Sequence, residues 1–395
     1  IQPMLTSWPW TLLHAPPFWL SLGAVGIAYF LPGDFVFSFW FFCWFYRFQW
    51  VGLNAFGMAP PDFSHYRFGF EGGAYCALAF LLVRSLWRQL RAMRGEGDEL
   101  LPVRRALLGL GVCVLVASLF VWAMGVPLWM AIFTVAFYLC VEALVRARSV
   151  HEGGALMTEN GFRADMLLRV FPGKNGLTAL SMLPPQSILP FAFLAGSLIR
   201  DLRGICLTPM LDGLKMADSV KLRRRSLLLP FALAILTGYV CGVLFHVKVH
   251  YEHGVLNLAP NGRSYPISFN RMIFNYALRI IDHQDKWSPH FLGTFLYSAA
   301  LTLFVAAMRA RFAWWPLHPL AIPLCTGWAV IVLWFPFFVG WVLKMAILRY
   351  GGSALFSRLR PFFLGLILGE FTMAVVIGII CAANPNIKPP WFPIL

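Results

Sequence analysis

The chain has 395 residues, of which 59% are hydrophobic and only 12% charged, with a formal net charge of +15 at pH 7. A soluble domain carries about 25% charged residues, so this composition excludes a soluble enzyme and reads as an all-α, polytopic membrane protein. The basic residues gather at the ends of apolar runs, so the charge reflects membrane orientation and contact with anionic headgroups of a lipid bilayer, not nucleic acid.

The apolar runs belong to a single integral-membrane domain over residues 1–395. Residues 1–16 form a Pro- and Trp-rich lead-in suited to a membrane interface. The apolar run Pro17 to Leu31 is closed by Pro32-Gly33. Asp34 then opens an aromatic helix, where a carboxylate caps the positive dipole end. Arg47 and Gln49 lie inside that run. A charge at the centre of a membrane helix costs about 2.5–3.5 kcal/mol, so Arg47 is expected to face protein, a headgroup or a cavity, or to snorkel.

Gly72 to Trp87 reads as the next span, and the following Arg-rich loop marks the cytoplasmic side. Ala106 to Gly125 and Val126 to Val145 are two more spans. Residues 149–225 read as a cytoplasmic and interfacial segment. Within it, Pro184, Pro185 and Pro190 break the run Leu177 to Ile199 into a re-entrant hairpin or a kinked span. Thr208 to Leu222 is amphipathic and suits a helix lying in the interface. Leu227 to Val249 crosses outward and carries a G-x-x-x-G pattern, Gly238 and Gly242, which permits close helix packing. Residues 250–289 form an outer amphipathic segment. There Phe269, Met272, Ile273, Tyr276 and Ile280 recur at helical spacing, with Asn270, Arg271, Asn275 and Arg279 opposite. Phe291 to Met308 returns inward.

The stretch Arg311 to Glu370 is the most unusual. It is apolar, yet Pro316, Pro319, Pro323, Gly327, Pro336 and Gly340 interrupt it. Proline removes a backbone hydrogen bond from a helix, and backbone groups freed in hydrocarbon need protein partners or a wet cavity. Interrupted apolar segments therefore point to a transporter's binding site; a merely bent helix is the plainer reading. Arg311 and Lys344 to Arg349 both read as cytoplasmic, and the roughly 32 residues between them are short for two spans of about 20 each. A re-entrant or broken hairpin over 311–344 is expected, then a turn at Tyr350-Gly351-Gly352. Pro361 to Ala383 exits outward with a second G-x-x-x-G, Gly365 and Gly369. The whole chain is expected to contain about eight to ten membrane segments.

Four residues are candidates for a substrate or proton path. Glu370 is an isolated carboxylate deep in an apolar run, which must be neutral or paired; a structural glutamate is the alternative. His318 stands between two prolines and can titrate near neutral pH, or simply belong to an interfacial aromatic anchor. Lys344 and Arg47 complete the set, with snorkelling as the ordinary explanation of Lys344. His246 and His250 share a helix face near Glu252 and His253, but no second ligand pair is evident and no metal is assigned. The eight cysteines form no C-x-x-C pair. No phosphate-binding loop, nucleophile elbow or H-E-x-x-H is present, so no catalytic residue, no cofactor and no enzymatic activity are expected.

The segments LPGDFVFSFWFF (31–42), RFAWWPLHPL (311–320), LRYGG (348–352) and RPFFLGLILGE (360–370) resemble an uncharacterised family of prokaryotic integral-membrane proteins of unknown function. That family is in turn distantly similar to the oligopeptide transporter superfamily. The resemblance implies proton-coupled movement of a small solute, a peptide or metal chelate, across a bacterial cytoplasmic (inner) membrane. It also implies that the chain matches the C-terminal part of a longer member. The alternative is a non-transporting structural subunit, packed against other membrane subunits or itself.

Overall fold

The computed structural model describes residues 7–59, 63–92, 101–153, 162–194, 206–257, 267 and 270–384. The acidic part of the Arg-rich loop, the end of the run reaching Ile199, Phe269, the Met272 side chain and the Pro-rich tail lie outside the described residues. In order, the helices are α1 Leu22–Phe30, α2 Gly33–Ala55, α3 Phe63–Ala92, α4 Val103–Ala123, α5 Leu128–Phe137 and α6 Leu144–Gly153. Then come α7 Ala164–Val170, α8 Pro185–Leu194, α9 Leu207–Ser219, α10 Leu228–His253 and α11 Asn270–Ile281. The last three are α12 Pro289–Arg311, α13 Ala321–Leu324 and α14 Trp328–Ala383. A six-residue π-helical stretch, Tyr138–Ala143, joins α5 to α6. Among the described residues the only β-pairing is two isolated bridges, Pro172 with Thr178 and Leu177 with Lys286. The chain is an all-α, multi-pass membrane protein.

Among the described residues six helices are long and apolar enough to cross a membrane, against the eight to ten segments expected; one of them, α14, turns back at Gly352 and holds two of those segments. Three runs account for the rest. Only Leu22–Phe30 of the first run is helical, at 9 residues, or about 14 Å against a hydrocarbon core of about 30 Å. Among the described residues the proline-broken run after Leu177 yields the 10-residue α8. Helix α2, at 23 residues, falls outside the six because its aromatic and polar side chains lower its apolarity.

The described residues divide into two compact units. Unit 1 comprises Ile1–Leu78, Glu152–Gly161 and Gly293–Leu395; unit 2 comprises Ala79–His151 and Phe162–Leu292. In unit 1 the organising element is α14. It holds Pro336 and Pro361 within helical geometry, and its break is at Gly352, φ 61° and ψ −165°. That backbone region is open essentially only to glycine. The two limbs, 328–351 and 353–383, run antiparallel, as their contacts with α1 show. Gly340 faces Val25 and Ala28 and Lys344 reaches Leu31, so the first limb runs with α1. Tyr29 stacks on Phe363 at 3.8 Å, Gly26 faces Phe363 and Ile367, and Glu370 reaches Ser21, so the second limb runs against it. The run expected to be broken over 311–344 is interrupted at 312–327, and the reversal falls within the turn expected at Tyr350-Gly351-Gly352. The chain turns back at Gly352, because a positive φ reverses a helix where an interior proline only weakens it.

Helix α1 is seated between these limbs. A Cβ on Gly26 would come within 2.7 Å of the Phe363 carbonyl, and one on Gly340 within 2.6 Å of Ala28 Cβ. Missing side chains allow the close approach. Helix α2 zips antiparallel along the first limb through aromatic pairs: Phe37 with Trp341 at 5.1 Å, Trp40 with Phe338 at 5.1 Å and Trp44 with Trp334 at 5.0 Å. Such ring pairs each contribute about 0.5–1.5 kcal/mol beyond their buried area.

In unit 2, α11 packs against α8. Ile273 and Ile280 are buried, as the spacing predicts, Tyr276 is half-buried and Ala277 is buried beside them, while Arg271, Asn275 and Arg279 are exposed. The amphipathic α9 ends at Ser219. Helix α10 buries none of its residues. A Cβ at Gly238, Gly242, Gly365 or Gly369 would meet open space, so neither G-x-x-x-G pattern is used within the described residues.

Candidate functional site

The break before α14 builds the site. Residues 312–320 are irregular and α13 is four residues long. Leu320, Ala321, Ile322, Leu324, Cys325 and Thr326 are nevertheless all buried. Freed backbone groups here find partners inside the protein, as hydrocarbon requires. The Ser38 hydroxyl of α2 accepts the His318 N–H at 2.7 Å and donates to the Asp34 carbonyl at 2.6 Å. One side chain thereby pins the break to α2.

His318 is 3% exposed. Its Nδ1 accepts the Leu320 N–H at 3.2 Å, which leaves the ring proton on Nε2. That atom lies 2.8 Å from Oε2 of Glu152, so imidazole N–H donates to carboxylate. The Phe35 ring packs edge-on against the imidazole at 5.3 Å. Asp34, within electrostatic reach of His318, forms an ion pair with Arg309. The arrangement can hold, take up and pass one proton between imidazole and carboxylate. A second proton on the ring must go to Nδ1, which would expel the Leu320 N–H and loosen the backbone of the break. Protonation and local shape are therefore coupled at one atom.

The structure does not bring the other three candidates to this pair. Glu370 closes the N-terminus of α1: its Oε1 accepts the Ser21 hydroxyl at 2.6 Å and its Oε2 the Gly23 N–H at 2.7 Å. Ser21 itself caps α1 by accepting the Ala24 N–H at 3.0 Å. Lys344 serves the other end, donating Nζ to the Leu31 carbonyl with the Phe356 ring 5.5 Å away. A carboxylate at the positive end and an ammonium at the negative end are the two charges a helix dipole favours. Arg47 is 3% exposed. Its Nε donates to the His14 carbonyl at 3.0 Å, its Nη1 to the Cys43 carbonyl, and its guanidinium lies over Tyr46 at 4.6 Å.

Sequence reasoning missed Glu152, which closes a helix beside His151 and reads there as an ordinary surface carboxylate. It also missed the charge network of unit 2. Arg163 forks onto Asp165 with contacts of 2.8 and 2.7 Å. Arg169 pairs with Asp285, whose Oδ2 also accepts the Thr178 hydroxyl at 2.8 Å. Both guanidiniums face the Tyr276 ring, at 5.3 and 5.5 Å. Burial alone would raise the Asp165 carboxyl, but the adjoining Arg163 outweighs it and holds the group below the usual carboxylate range. Each cation here has its own carboxylate, which marks a structural clamp.

His246 and His250 stack at 4.0 Å on α10, with the His246 carbonyl 2.7 Å from Nδ1 of His250. Among the described residues, no three His, Cys, Asp or Glu side chains gather to hold a metal.

Comparison with known proteins returns no matching curated protein and no matching solved structure. A family model does match, over residues 1–391, and the chain belongs to that family, described as a family of unknown function (DUF6785).

Proposed function

We propose that the chain is a proton-coupled secondary transporter of a bacterial cytoplasmic membrane, moving a small solute of the peptide or metal-chelate class. One observation carries the reading: His318, 3% exposed, lies in the irregular stretch between the membrane-length helices α12 and α14 and donates to Glu152. Intramembrane ionisable groups commonly mark ion or proton paths, and broken segments commonly mark substrate sites. The distant likeness to oligopeptide transporters is part of the proposal and supplies its solute class. Glu370 and Lys344 position α1 in this scheme, and His318 and Glu152 handle the proton.

The test is purified protein in liposomes enclosing a pH-sensitive dye, with an imposed pH gradient and a panel of dipeptides and chelated metals outside. Solute-dependent proton entry is expected, lost in Glu152→Gln and in His318→Gln. Entry that survives both substitutions removes the pair from the mechanism, and no entry with any solute removes transport.

The second reading, a structural subunit, is favoured by α10, which buries no residue, and by the open G-x-x-x-G faces. Gentle extraction followed by native mass spectrometry separates the two. Unrelated subunits at fixed stoichiometry support the scaffold, and the chain alone or paired with itself supports the transporter.

A further inference from the structure

Unit 1 contains a second buried polar group, inside the aromatic core of Phe42, Tyr46, Trp50, Tyr66 and Phe70. Three donor atoms there are buried without a hydrogen-bond partner among the described residues, the Tyr46 hydroxyl, Trp50 Nε1 and Arg67 Nε, and one buried acceptor atom, Glu71 Oε2, shares that state. Tyr46 and Trp50 are 0% and 4% exposed. Indole and guanidinium N–H groups can only donate, and the phenol can donate. Orphaned buried donors are rare in native proteins and ask for an explanation. Three donors against one acceptor atom ask for a further acceptor.

The charges agree. Arg47 spends its donors on two carbonyls and the Cys43 sulfur, and meets no carboxylate among the described residues. Arg47 and Arg67 both lie within electrostatic reach of the Tyr46 hydroxyl. Both, with the buried Glu71, also reach Cys325, directly after α13. Among the described residues, two guanidiniums and one carboxylate act on that point, an excess of one positive charge. His14, stacked on Phe63 at 4.4 Å, adds none at neutral pH, because burial and then Arg47 hold its imidazole below the usual range.

We propose that this core binds one monoanionic oxyanion group, a carboxylate or a phosphodiester. Tyr46, Trp50 and Arg67 are its donors, Arg47 supplies the more distant countercharge, and the surrounding rings hold the ligand's apolar body. Binding at this core requires no transport, so it is read at equilibrium on the purified, delipidated full chain and fails or succeeds independently of the proton-coupling proposal.

Two arms separate the sources of the anion. Thermal unfolding is followed with sodium benzoate against sodium chloride at equal ionic strength. Native mass spectrometry then follows retention of added phosphatidylglycerol. Tyr46→Phe and Trp50→Phe each keep a ring and delete a donor, and Arg67→Gln reads the same point should either fail to accumulate. The expected result is binding of benzoate or phosphatidylglycerol by the unsubstituted chain, weakened roughly tenfold or more in each variant. Without ligand, the two ring variants should unfold at the same or a higher temperature, since each loses an orphaned donor. A benzoate-dependent rise in Tm assigns a free carboxylate; retained phosphatidylglycerol without a benzoate effect assigns a lipid. Neither ligand bound, or equal binding by the unsubstituted chain and the variants, overturns the site and leaves water to satisfy the donors.

Discussion

The two units bury charge in opposite ways. In unit 2, Arg163 and Arg169 each have a carboxylate of their own, in Asp165 and Asp285. In unit 1, Arg47, Lys344 and Glu370 are answered mainly by backbone dipoles: carbonyls for the cations, and an N–H with a hydroxyl for the carboxylate. A mutual ion pair resists exchange because removing one partner strands the other. A charge held by dipoles loses a cap and little else when it moves. Unit 2 therefore reads as the rigid part, and unit 1 as the part whose polar groups can change partners.

The largest effect should come from stranding a guanidinium in unit 2. Asp285→Asn or Asp165→Asn should cost about 3–5 kcal/mol in denaturant unfolding followed in mild detergent. A loss below about 1 kcal/mol would erase the contrast between the units. Next are the backbone approaches that seat α1. Gly26→Val should lose about 1–3 kcal/mol through overpacking, and Gly352→Ala about 1–3 kcal/mol through backbone strain, both by thermal unfolding. Smaller still, Glu370→Gln should cost about 1 kcal/mol, as for a lost helix cap. Ser21→Ala should be non-additive with it, because the two share one hydrogen bond.

The pH response sharpens the comparison most finely. Asp165 has a depressed carboxyl, so its stabilisation is complete above the unfolded value of about 3.9. It is lost only as pH falls through the lower folded value. His14 has a depressed imidazole, so the unfolded chain binds its proton first, and unit 1 should weaken as pH drops below about 6.5. Hydrogen exchange between pH 7.5 and 5 should show faster exchange around residues 10–20 and none around 162–170. Equal responses would contradict the assignment of either group.

Much of the fold was legible in the sequence. The amphipathic spacing of α11 and the Gly351-Gly352 turn needed only local pattern. The length of α1 was not legible, because an apolar run of 15 residues says nothing of which 9 become helical. The prolines misled, since Pro336 and Pro361 stay within helical geometry while a glycine makes the reversal. For the site, His318 announced itself between two prolines, but Glu152 lies far from it in sequence and carries no spacing signal. Tyr46 and Trp50 read as two more rings on an aromatic helix; only packing shows that their polar ends are left over.

The clasp on α1 also has a consequence for biosynthesis. Ser21 and Glu370 are 349 residues apart in the chain, and Leu31 and Lys344 are 313 apart. A helix of about 14 Å is too short to lodge across the bilayer alone, so α1 must wait beside the growing bundle until both limbs of α14 leave the ribosome. Its docking is thus a late checkpoint of assembly, and a chain that stops before residue 344 would emerge with this helix unseated and open to quality-control proteases.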